Sequence, residues 1–177
     1  MKGKMDKNTK IVLFSLTALS FLVVIFALLN RSYIEPMREA QRAGVFFLLA
    51  DDRKHAVSID DFEDFSPFDI DANYKTSGLS ARNRTFRGVS FSTIAASFDI
   101  DISAYRFVLF TAADGYASML TSAEAMDAGN CYIVAGEEGR PLGTLEEGGM
   151  GPFMMILAHD AFSQRWCKYL LEVKLLS

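Results

Sequence analysis

The sequence predicts an α+β fold with a mixed sheet, preceded by one N-terminal transmembrane helix. Three observations carry that prediction. Residues 11–29, "IVLFSLTALSFLVVIFALL", hold no charge, Gly or Pro. Beyond them, short β-rich runs interleave with short amphipathic helices. One of those runs contains Asp114-Gly115, where a tight hairpin turn needs positive φ.

The apolar run of nineteen residues makes roughly 28 Å of helix, close to the hydrocarbon thickness of a bilayer. It is longer than the apolar region of a signal peptide and lacks a small-x-small cleavage site after it, so it reads as an uncleaved anchor. Residues 1–10 carry four Lys and one Asp, against alternating Arg and Glu after the run. That bias places the N-terminus in the cytoplasm and residues 30–177 outside the cytoplasmic membrane. The division expected is a cytoplasmic tail 1–10, a transmembrane helix 11–29, a stalk 30–44 and an extracytoplasmic domain 45–177. The formal charge is −4, and residues 11–177 alone carry about −7, which excludes a nucleic-acid binder with its basic face.

Along the outer part, residues 32–44 read as a short polar helix or stalk, with Pro36 near its start and Gly44 at its end. "VFFLLA", 45–50, fits a buried strand. Ile59, Phe62 and Phe65 form one apolar stripe on a short helix broken by Pro67, whose acids Asp60, Asp61, Glu63 and Asp64 face water. "NYKTSGLSARNRTFRGV", 73–89, reads as a cationic loop. Ser90 caps a helix with Phe91, Ile94, Ala95 and Phe98 on one face. The hairpin spans 105–120, and Ser122 to Gly129 bounds another short helix. "CYIVAG" and "FMMIL" are strands around a Gly-rich loop; 160–166 is a turn or short helix, and 167–176 ends the sheet. Cys131 and Cys167 lie outside the membrane, where a disulfide is permitted, but spacing alone leaves their pairing open.

General catalytic signatures are absent: no GxSxG, no GxGxxG opening a helix, no P-loop and no HExxH. Only His55 and His159 accompany the two Cys, which gives a zinc cluster little to build from. "GGMGPF", 148–153, precedes a strand instead of a helix N-terminus and is a weak phosphate cradle. "NRT", 83–85, matches a glycosylation sequon.

In order, "TFRGVSFSTIAASFDID", "FVLFTAADGYASML", "CYIVAGEEGRPLG", "GGMGPFMMIL" and "SQRWCKYLLEVKL" resemble the molybdopterin-binding domain of the sulfite oxidase superfamily, over roughly residues 57–176. The resemblance implies that family's mixed-sheet fold and makes 73–89 its cofactor loop. Ser77-Gly78, Phe86 and Gly88-Val89 match that loop, while the metal-ligand Cys falls on Lys75. A protonated amine has N–H donors and no lone pair, so it cannot replace a thiolate. What remains is a candidate anion pocket of Lys75, Ser77, Arg82, Arg84, Arg87, Arg165 and Lys168, since Arg forks suit a phosphate such as that of a pterin. No catalytic residue and no metal ligand is assigned. No cofactor is expected, molybdopterin being the one the fold would take.

The expected function is a membrane-anchored binding or accessory module of the molybdopterin-dependent oxidoreductase fold, without its catalytic metal centre. Its expected partners are the membrane, through 11–29, and a membrane or extracytoplasmic protein. Two alternatives stay open. One is an active molybdenum or tungsten pterin oxidoreductase with a different ligand; the other is an anchored enzyme or receptor of unrelated chemistry.

Overall fold

The structure is a computed structural model that describes residues 6–75 and 80–177. The chain divides into two compact units, Met1–Met37 and Arg38–Ser177. Helix α1 runs Lys7–Arg42 with Pro36 inside it, so the polar stretch continues the apolar helix instead of forming a separate one. The stretch Lys7–Leu28 is long and apolar enough to cross a membrane, and none of it is buried. Thr17 donates to the Leu13 carbonyl at 2.9 Å, the back-bonding by which a hydroxyl is tolerated in such a helix. The helix stops at Gly44, whose φ is +61° and where a Cβ would press on Ile59 at 3.1 Å.

The second unit contains two sheets. Strands β1 (Val45–Ala50), β2 (Arg53–Ser58), β5 (Phe107–Ala112), β6 (Ala117–Thr121) and β10 (Leu170–Leu176) form the first, in the order β2-β1-β10-β5-β6. The β1–β10 pair is parallel and the others antiparallel, so this sheet is mixed, as expected. Strands β3 (Phe68–Tyr74), β4 (Arg82–Ser90), β7 (Cys131–Glu137), β8 (Arg140–Pro141) and β9 (Met154–Leu157) form the second, in the order β3-β4-β7-β8 with β9 also on β7. All its pairs are antiparallel. Helices α2 (Phe91–Ser97) and α3 (Ser122–Met126) join them.

Alternation selects the inner face of the first sheet: Phe46, Leu48 and Ala50 of β1 and Val108, Phe110 and Ala112 of β5 are buried. Phe153 closes the core between the sheets, its ring centroid 5.0 Å from that of Phe46 and 5.2 Å from that of Phe62, both edge to face. Helix α2 contributes Phe91, 5.3 Å from Phe110.

Local signals were accurate where one residue type decides the geometry. Gly115 turns the hairpin at φ +88°, and Tyr116 N–H donates to Asp114 Oδ1 at 2.9 Å. Thr93 N–H donates to the capping Ser90 Oγ at 3.3 Å. Other expectations need correction. The stretch 73–89 is not a loop throughout: Asn73 and Tyr74 end β3, and 82–89 are strand β4. Strand β2 carries no apolar run for a sequence to show: Arg53, Lys54 and Ala56 are exposed and only Val57 is buried. The stripe at Asp61–Phe65 is a 3-10 turn, not an α-helix. Thr121, not Ser122, caps α3 through a capping box with Glu124, and the helix ends at Met126.

Both cysteines are free and buried. Cys131 pairs with Leu157 on one edge of β9, and Cys167 pairs with Met155 on the other edge. Two strand spacings separate them by more than about 9 Å, too far for a bridge.

Candidate functional site

The β3–β4 hairpin points its Tyr74 end at the segment 162–168. Ser163 fixes that approach: its Oγ donates to the Lys75 carbonyl at 2.7 Å and accepts from Lys75 N–H at 3.2 Å. Tyr74 is the hub. Lys168 Nζ donates to its hydroxyl at 2.7 Å, the Arg84 guanidinium lies 4.4 Å from its ring centroid, and the Trp166 ring is 5.8 Å away. Lys75 Nζ sits 4.4 Å over the Phe162 ring. Arg82 pairs with Tyr74 in the ladder, so both side chains leave the same face. Beside this cluster a recess of about 200 Å³ is lined by Asp114, Tyr116, Gln164, Trp166 and Lys168. The Tyr116 hydroxyl donates to the Gln164 carbonyl at 2.7 Å, and burial raises its pKa, so it stays a donor.

The seven expected residues therefore part company. Lys75, Arg82, Arg84 and Lys168 gather around Tyr74 and Phe162. Arg87 leaves the opposite face of β4 and bonds Glu63 at 2.9 Å, beside a separate cavity of about 270 Å³. Arg165 is held by Asp160 at 2.6 and 2.8 Å and by Glu124 at 2.9 Å. These bonds raise its pKa, and Arg165 in turn holds Glu124 below the usual carboxylate range. Arg84 is paired with Glu137. Ser77 lies outside the described residues. Sequence reasoning missed Tyr74, Trp166 and the neutralising carboxylates. The alternation Ile70, Ala72, Tyr74 was the available signal for the first; Glu124 lies 41 positions from Arg165 and gives none.

The donors do not fit a molybdenum centre. Residues 76–79, Thr-Ser-Gly-Leu, supply no thiol. Cys131 and Cys167 are fully buried; burial pushes the Cys131 thiol well up and the Cys167 thiol up to about 12, far from a ligating thiolate. Among the described residues no group of three or more His, Cys, Asp or Glu is arranged to hold a metal ion.

By sequence, no family model and no curated protein matches the chain. By structure, the sulfane dehydrogenase SoxCD from Paracoccus pantotrophus superposes with a TM-score of 0.62 at 12% identity. The fold resembles that of SoxCD. The match covers 77% of this chain and 39% of the SoxCD chain, so this chain spans well under half the length of that protein. The likeness to SoxCD is one of fold.

Proposed function

We propose that this chain is a membrane-anchored binding or accessory module built on the molybdopterin-dependent oxidoreductase fold and lacking the catalytic metal centre. Residues 1–10 stay in the cytoplasm, 11–29 span the membrane, 30–44 are a stalk and 45–177 stand outside. The exposed apolar stretch Lys7–Leu28 and the Lys-rich tail support that topology.

The observation that carries the reading is the donor set. Lys75 stands where the resembling family places its thiolate, and both thiols of the chain are sealed in the core. The binding capacity is assigned to the cations around Tyr74, where Lys168 and Lys75 contact aromatic groups and no carboxylate among the described residues, so their charge is available to a small anion. Arg84, Arg87 and Arg165, each matched by acids, are dropped from that pocket.

The test is the metal and pterin content of the full chain, made in a host that synthesises the cofactor and purified in detergent without chelators. The reading expects a folded protein with metal far below one atom per chain. Near-stoichiometric molybdenum or tungsten would establish the oxidoreductase instead.

A further inference from the structure

The first sheet has a buried inner face and an outer face on which no ladder-paired residue is buried, although Phe47, Leu49, Phe107, Leu109 and Met119 lie on it. A solvated sheet face ordinarily alternates to polar side chains; here Phe47 and Leu49 on one side of β10 and Leu109 and Met119 on the other flank the charged Glu172 and Lys174, and apolar patches beside polar groups mark interaction surfaces. We propose that this face pairs with the same face of a second copy of the chain, related by a two-fold axis lying in the interface across the central strand β10.

The register carries the argument. Two adjacent rows cross the outer face. One runs Ala56, Phe47, Glu172, Thr111, Ala117; the other runs Lys54, Leu49, Lys174, Leu109, Met119. The rows are two residues apart along each strand, roughly 7 Å. A two-fold axis between them lays each row on the other row of the facing copy. Glu172 then meets Lys174 at the centre, twice over. Phe47 meets Leu49, and Thr111 meets Leu109. At the edges the long side chains fall on short ones, Met119 on Ala117 and Lys54 on Ala56. Met119 is 56% exposed in the single chain, and Lys54 already lays its ammonium 3.7 Å over the Phe47 ring. Charge and bulk are thus complementary to themselves, as an isologous interface requires. Glu172 and Lys174, two apart on one strand, supply both charges of that contact from each copy.

The experiment is the mass of the full chain in detergent by light scattering, for the wild type, Glu172→Lys, Lys174→Glu and an equimolar mixture of the two variants. Each substitution lies on the open face, and circular dichroism checks that each variant is folded. The wild type is expected at twice the chain mass. Each variant alone puts like charges together twice and weakens association by roughly tenfold or more. Mixing them restores Lys-to-Glu contacts on both sides and returns the double mass. A monomeric wild type overturns the proposal. So do variants that dimerise as the wild type does, or a mixture that stays monomeric, because the contact then lies elsewhere or belongs to another partner.

Discussion

The two sheets bury their strands in different ways. In the second, Cys131–Val134 of β7 and Met154–Leu157 of β9 are buried without a break, covered on both faces. In the first, β1 and β5 alternate between buried and half-exposed positions, covered on one. The doubly covered strands hold Cys131 and, across the isolated Met155–Cys167 bridge, flank Cys167, while the singly covered sheet presents a surface.

The largest expected effect tests that contrast. Phe153→Ala removes a fully buried ring between the sheets and should cost roughly 3–5 kcal/mol in urea unfolding. Leu109→Ala, on the open face, should cost about 0.5 kcal/mol in dilute protein. Equal losses would erase the distinction. Next comes Gly88→Ala at the close approach of β4 to β7. Its Cβ would meet Val134 Cγ1 at 2.5 Å and the Ile133 carbonyl at 2.6 Å, and backbone does not yield, so about 1–3 kcal/mol is expected. Gly115→Ala meets nothing within 4 Å, and its loss should be only the cost of positive φ, about 1 kcal/mol.

The smallest effect concerns acid. Arg165 and the Thr121 cap hold the Glu124 pKa below its ordinary value of 4.5. A depressed carboxylate contributes stability above its unfolded pKa and loses it as pH falls through the folded one. Stability should therefore decline below about pH 4.5, by under about 1 kcal/mol for this partly exposed group. Arg165→Met should flatten that part of the profile in thermal melts taken between neutral and acid pH; an unchanged profile would remove Glu124 from the account.

Much of the fold was legible because single residues decide it: the Asp114-Gly115 turn, the Ser90 cap, the apolar runs at 45–50 and 153–157. What failed was non-local. Polar β4 is a strand because β3 and β7 hydrogen-bond it on both edges, and nothing in "RNRTFRG" announces those neighbours. The site was legible to the same limit. Seven cations and hydroxyls were readable as a group, but which cations stay unmatched depends on where Glu63, Glu124, Glu137 and Asp160 arrive in space. Once 82–90 is a strand, alternation puts Arg87 on the face opposite Arg82 and Arg84, a separation that a loop does not impose.

The most direct test of the central claim is a side-by-side measurement of molybdenum and pterin in the full wild-type chain and in Lys75→Cys, made in the same cofactor-producing host. The wild type is expected to be folded with essentially no metal. Metal appearing only in the variant would identify position 75 as the missing ligand. Near-stoichiometric molybdenum in the wild type would contradict the account and make the chain an enzyme.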